Sequence, residues 1–108
     1  MNRLWVLNSS PIIALSEGSL IWIVPKLSDQ IIVPLAVAYE LSQSSEQDLA
    51  RQWLEKEGRS YVREIGNVDP LVTSWKLGPG ETEVITWANR NPSYEAIIDD
   101  RAARRCAA

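Results

Sequence analysis

The residues of this sequence that could take part in catalysis or metal binding are those with oxygen-bearing side chains. Histidine is absent and cysteine occurs once among 108 residues. This excludes Ser-His-Asp and Cys-His catalysis, Cys/His zinc sites and an internal disulfide. Fourteen acidic residues remain. The informative ones are those placed where a carboxylate is costly unless it is solvated, paired or bound to a metal.

Two of the segments that carry such side chains lie in the first half of the chain. Asn8-Ser9-Ser10-Pro11 follows the apolar run at residues 4–7 and is typical of a turn that leads into a capped helix. Glu40 lies inside an apolar helical stretch and shares a face with Ala36 and Val37. A plain structural interpretation of Glu40 is a partly exposed helix residue with apolar neighbours.

The other two segments are acidic pairs. Glu81 and Glu83 open a predicted helix, where acids complement the helix dipole. Because residues two apart are separated by about 200° around a helix, these two cannot both point at one site. Asp99 and Asp100 directly follow an apolar run, where they could be ligands or simply end a strand and cap a helix.

Alternating patterns predict the elements that position these residues. Apolar or β-branched runs predict four strands, at residues 4–7, 30–33, 61–65 and 95–98. Helices are predicted at 11–17, 20–27, 35–43, 45–58 and 81–88, with a shorter one near 71–76. Ser10 is the expected cap of the first helix, and Ser45 with Asp48 resembles a capping box for the fourth. This order predicts a three-layer α/β/α domain around a mostly parallel sheet, with ligands bound beyond the carboxyl ends of its strands.

Charge and hydropathy exclude several classes of function. A net charge of −3 argues against a sequence-independent nucleic-acid coat, which needs a basic face. Arg101, Arg104 and Arg105 form a small basic cluster that could meet RNA phosphate or lie on a solvated helix face. No apolar run reaches the roughly 18 residues of a membrane span, and no signal-peptide pattern opens the chain. We therefore expect a cytoplasmic protein without membrane association.

In order along the chain, the motifs resemble the PIN-domain superfamily. They are a strand, Asn-Ser-Ser-Pro, an apolar helix with an internal Glu, Gly-Pro-Gly-Glu-Thr-Glu, and Ile-Ile-Asp-Asp-Arg. The resemblance covers nearly the whole chain and is to the VapC-like toxin ribonucleases, in the branch that opens with Asn/Asp-Thr/Ser-Ser-Pro. It implies an acid cluster that binds Mg²⁺ or Mn²⁺ and cleaves single-stranded RNA. It also implies a cognate antitoxin and a homodimer.

The resemblance assigns roles residue by residue. The implied catalytic and metal-binding residues are Asn8, Glu40, Glu83 and Asp100, with Glu81 and Asp99 in reserve. Ser9 matches the hydroxyl that supports the first acid, and Arg101 and Arg104 are the implied substrate-binding residues. A hard divalent cation takes such oxygen ligands, lowers the pKa of a bound water and stabilises charge that develops at a phosphate.

Two departures from the family pattern leave a second function open. Position 8 is Asn rather than an acid, and an amide oxygen can ligate a cation but brings no charge. The sequence also ends at Ala108, where PIN domains continue through a helix and a fifth strand. We therefore expect a single PIN-like domain over residues 1–108, C-terminally truncated and without its last strand. The alternative to a toxin endoribonuclease is a catalytically impaired PIN-like module that binds a partner.

A third interpretation, a receiver-like phospho-acceptor domain, also places acids at strand ends. It requires an acceptor Asp after the third strand, where this sequence has Gly66-Asn67. We therefore set it aside.

Overall fold

A parallel β-sheet forms the centre of the molecule. The computed structural model describes residues 3–99, 101 and 102. Its four strands are β1 (Leu4–Leu7), β2 (Gln30–Pro34), β3 (Val62–Arg63) and β4 (Tyr94–Ile97). They lie in the order β3-β2-β1-β4, and each neighbouring pair is parallel. The predicted α/β class with a parallel sheet is confirmed.

Helices connect the strands. They are α1 (Ser9–Glu17), α2 (Val24–Leu27), α3 (Leu35–Ser42), α4 (Leu49–Lys56), α5 (Pro70–Thr73) and α6 (Pro79–Arg90). Short 3-10 turns lie at Ile21–Ile23 and Gly58–Tyr61. Within the described residues, no helix is both long and apolar enough to cross a membrane.

The two central strands explain why helices cover both faces of the sheet. Trp5, Val6 and Leu7 of β1 are all at most 4% exposed, and the last four residues of β2 are also buried. Because successive strand residues point to opposite faces, burial of consecutive residues requires packing on both sides. The layered arrangement that the sequence predicts follows from this burial.

The start of α1 differs from its prediction. The helix begins at Ser9 with Asn8 in the N-cap position, so Ser10 is a helical residue and not the cap. The Asn8 side chain does not cap the helix either. Its amide instead donates a hydrogen bond to the carbonyl of Ile98, at 3.4 Å, because β4 ends beside it.

The α4 and β3 predictions were wrong in their boundaries. No capping box forms, because α4 begins at Leu49 after Asp48 and the Ser45 hydroxyl accepts a hydrogen bond from the amide of Gln47 instead. The third strand is only two residues long, because a 3-10 turn occupies the residues before Val62.

One edge of the sheet gathers the segments singled out in the sequence. Asn8 follows β1, α3 follows β2 without a gap, and Ile98 follows β4. Helix α6 precedes β4, so its first turn lies at the same carboxyl edge as the end of that parallel strand. This edge is where parallel sheets bind ligands.

Candidate active site

The Glu40 carboxylate forms a hydrogen bond with a residue of the segment that follows β1. Its Oε2 atom accepts a hydrogen bond of 3.2 Å from the Ser9 hydroxyl. Ser9 is the first residue of α1, while Glu40 lies in the second turn of α3. The predicted supporting role of Ser9 therefore has a geometric basis, although the carboxylate it contacts is Glu40.

Glu83, which belongs to helix α6, contacts the start of helix α3. Its Oε1 atom accepts a hydrogen bond of 2.9 Å from the backbone amide of Ala36. Helix α3 begins directly after Pro34, whose side chain has no atom that could accept from the first free amides. Glu83 therefore supplies the missing cap across the interface between α3 and α6.

The two glutamates line one surface depression. Its volume is about 400 Å³, and its other lining residues are Leu35, Ala36, Tyr39 and Pro79. The arrangement is reciprocal, because Glu83 of α6 contacts the first turn of α3 while Glu40 of α3 contacts Gly80 in the first turn of α6. The structure thus brings together two carboxylates that are 43 positions apart in the sequence.

The neighbouring strand ends contribute different groups. The main-chain amide of Asn8 donates to Ile97 at 3.0 Å, and its side chain reaches Ile98. Asp99 is exposed, and its Oδ1 accepts a hydrogen bond of 2.8 Å from the amide of Ala102. Asp99 is therefore a helix cap, which was the plain interpretation of this acidic pair.

Among the described residues, two further predicted ones do not line this depression. Glu81 is half-buried on α6 and is not part of its lining. Arg101 is exposed in the short helical piece after Asp99. Asp100 and Arg104 lie outside the described residues, so their predicted roles stay predictions.

The comparison with protein families agrees with this arrangement. The model of the DUF3368 family, described as a PIN domain, matches residues 4–108. The chain belongs to this PIN-domain family. Neither a search of curated proteins nor one of solved structures found a match. The predicted superfamily is confirmed, and the PIN domain is a nuclease fold.

The donor atoms of this PIN domain suit a hard cation. Within residues 3–99, 101 and 102, no three acidic, histidine or cysteine side chains lie close enough to hold a metal ion. The depression does offer two carboxylates, with the Ser9 hydroxyl beside one of them. Magnesium is commonly bound through one or two carboxylates while it keeps several waters. The chemistry of the donor set that Glu40 and Glu83 offer therefore fits such an ion.

The sequence predictions missed a second cavity of the PIN domain and one contact residue. The cavity, of about 440 Å³, opens beside Ser9 and Glu40, and two further acids, Glu17 and Asp48, also line it. Glu17 is the last residue of α1 and Asp48 directly precedes α4, and nothing in the local sequence pattern marks either acid as a cavity residue. The missed contact residue is Gly80, which lies outside the helix predicted at 81–88 but is the second residue of α6 in the structure.

Proposed function

We propose that this PIN domain is a metal-dependent endoribonuclease that cleaves single-stranded RNA. The observation that carries the proposal is the convergence of Glu40 and Glu83 on one depression at the carboxyl edge of the sheet. Two carboxylates alone repel a phosphate, and the net charge of −3 does not compensate for them. A divalent cation held by these residues would offset this repulsion, which is why we propose Mg²⁺ or Mn²⁺ as the cofactor.

The proposed roles of the described residues rest on their contacts and on the resemblance. Glu40 and Glu83 hold the cation, and Ser9 fixes the orientation of the Glu40 carboxylate. Asn8 at the end of β1 offers an amide oxygen, and we propose Asp100 as the fourth ligand on the strength of the resemblance alone. Once bound, the cation supplies an activated water and stabilises charge on the phosphate.

A metal titration combined with a cleavage assay tests this function. Wild-type protein is expected to bind Mn²⁺ and to cleave an unstructured RNA oligonucleotide only when the ion is present. Glu40→Gln keeps the shape of the side chain but removes its charge, so both properties are expected to be lost. Glu64→Gln is the matched control, because Glu64 is exposed and does not line the depression. Cleavage by Glu40→Gln at the wild-type rate contradicts the proposal.

The toxin assignment is a further proposal, with a protein antitoxin as the partner and a homodimer as the assembled state. Large apolar side chains remain exposed on this chain, among them Tyr39 at 66% and Trp75 at 51%. Tyrosine and tryptophan are enriched at protein–protein interfaces, which is the support for a partner. RNA as the substrate implies action in the cytoplasm.

Two measurements test these partners. Light scattering after gel filtration is expected to give twice the chain mass of 12.1 kDa. Co-expression with the product of the adjacent upstream gene is expected to abolish both RNA cleavage and growth inhibition. A monomer contradicts the dimer, and unchanged toxicity contradicts that gene product as the antitoxin.

A partner-binding module without catalysis is the second candidate. Two observations favour it: Asn8 brings no charge to the end of β1, and Asp99 after β4 is occupied as a helix cap. Together they leave the described part of the site with the charge of only two carboxylates. Weak or absent Mn²⁺ binding together with no RNA cleavage by the wild type is the result expected of this candidate.

A further inference from the structure

Gly80 lies where the Glu40 carboxylate meets α6. A Cβ atom built on Gly80 overlaps Glu40 Oε1 and lies 3.1 Å from both the Cδ of Glu40 and the Cγ2 of Val37. Gly80 is buried and is the second residue of the helix. No side chain larger than a hydrogen atom fits there unless Glu40 moves.

The backbone does not itself require glycine at this position. Gly66 is the one described glycine with a positive φ angle, so the conformation of Gly80 is open to other residues. Within a helix, alanine is favoured over glycine because it loses less conformational entropy on folding. The physical advantage of glycine at position 80 is therefore the space it leaves.

We propose that Gly80 is a positioning residue for Glu40. The carboxylate lies between two helix starts, with Oε1 against Gly80 of α6 and Oε2 accepting from Ser9 of α1. A side chain at position 80 pushes Oε1 away, which breaks the Ser9 contact and moves the charge out of the depression it shares with Glu83. The consequence for metal binding rests on the proposed function, whereas the steric coupling between Gly80 and Glu40 does not.

Gly80→Ala, compared with Gly78→Ala, tests the effect on the metal. Gly78 is the matched control because it lies two residues away and no atom comes within 4 Å of the position that a Cβ would take there. By analogy with groups that orient metal ligands, Gly80→Ala is expected to weaken Mn²⁺ binding by about 10-fold to 100-fold, measured by the free Mn²⁺ signal in electron paramagnetic resonance. Gly78→Ala is expected to bind as the wild type does. Equal affinities in both variants overturn the proposal.

A double-mutant cycle in thermal unfolding tests the coupling without metal or RNA. Gly80→Ala is expected to change the melting temperature less favourably when Glu40 is present than when it is absent, because the carboxylate must move to admit the methyl group. In the Glu40→Ala background the same change is expected to lower it less or to raise it, because only the Val37 contact remains. Equal shifts in the two backgrounds overturn the proposal, since they mean that Val37 alone resists the added methyl group.

The two experiments also separate the two proposals. If the wild type binds no Mn²⁺, the proposed function fails, and the unfolding cycle still decides the role of Gly80. If Gly80→Ala does not fold, Glu40→Ala combined with Gly80→Ala is expected to fold, because truncation of Glu40 removes the overlap. Failure of both variants to fold overturns the positioning role.

Discussion

The Ser9 hydroxyl donates a hydrogen bond to Glu40 Oε2, and this 3.2 Å contact joins the segment after β1 to the middle of α3. Both residues are at the carboxyl edge of the sheet, where the strand ends and helix starts converge. The bond fixes one oxygen of the Glu40 carboxylate, while Gly80 borders the other. The site is therefore built from interlocking contacts among α1, α3 and α6.

Ser9→Ala is expected to lower RNA cleavage about fivefold. That factor corresponds to the loss of one hydrogen bond worth about 1 kcal/mol. The melting temperature is expected to change little, because the bond lies at the surface. Ser42→Ala is the control, since its hydroxyl bonds to a carbonyl of its own helix α3. An unchanged cleavage rate in Ser9→Ala means that Ser9 does not orient Glu40.

Glu83 has a structural and a proposed catalytic role, and two substitutions separate them. Glu83→Ala removes the acceptor for Ala36 and is expected to lower the free energy of unfolding by about 1 kcal/mol. For a domain of about 100 residues this is a fall of roughly 4–8 °C in the melting temperature. Glu83→Gln keeps an acceptor oxygen but not the charge. It is expected to retain most of the stability and to lose Mn²⁺ binding.

Glu81→Gln is the matched control for these two variants. Glu81 belongs to the same helix turn but does not line the depression. Calorimetry and Mn²⁺ titration of all three proteins give the comparison. If Glu81→Gln abolishes Mn²⁺ binding and Glu83→Gln does not, the reserve residue is the metal ligand and Glu83 is only a cap.

The sequence alone predicted the strands near the site well, because β1, β2 and β4 are short apolar runs between turn formers. Of the four predicted site residues, Glu40 and Glu83 line one depression, and it was the family resemblance rather than helix geometry that chose Glu83 over Glu81. The prediction was weaker wherever the deciding contact crosses the fold. Asn8 replaced Ser10 at the start of α1, and no local pattern reveals that its side chain bonds to the residue after β4.

The cap at the start of α3 is another contact across the fold that the sequence alone did not predict. From the sequence, a carboxylate near the first turn of α6 is expected to offset the dipole of its own helix, and this expectation needs no tertiary information. The structure gives Glu83 a partner 47 positions away, in α3. Long-range contacts of this kind depend on how two helices pack, and single-sequence periodicity does not contain that information.

Gly58→Ala is expected to destabilise the fold at a distance from the site. A Cβ there would lie 2.6 Å from the ring of Trp53, which is fully buried and stacks on Tyr61. Overpacking of this kind costs about 1–3 kcal/mol in the free energy of unfolding. Gly18→Ala is the control, because a Cβ at Gly18 would meet no atom closer than 3.8 Å and its φ angle of −86° is open to alanine. Equal melting temperatures for the two variants mean that the Trp53 ring shifts without cost.

Asn8→Asp adds the negative charge that the end of β1 lacks. Without metal, the variant is expected to lose about 1–2 kcal/mol of stability, because the amide that donates to Ile98 becomes a carboxylate facing a carbonyl oxygen. With metal, the added negative charge at the end of β1 is expected to tighten Mn²⁺ binding by about tenfold or more, if Asn8 is a ligand as proposed. Mn²⁺ is therefore expected to raise the melting temperature more in Asn8→Asp than in the wild type.

Asn91→Asp provides the control for this last comparison, because its amide also donates to a backbone carbonyl, that of Trp87 at the end of α6. It is expected to lose similar stability without any gain in Mn²⁺ affinity. Cleavage assays on the same proteins then distinguish the two candidate functions. Cleavage that is faster in Asn8→Asp than in the wild type supports a nuclease whose rate is limited by the missing negative charge at position 8. Tighter Mn²⁺ binding without cleavage favours the partner-binding module, because the missing charge is then not what prevents catalysis.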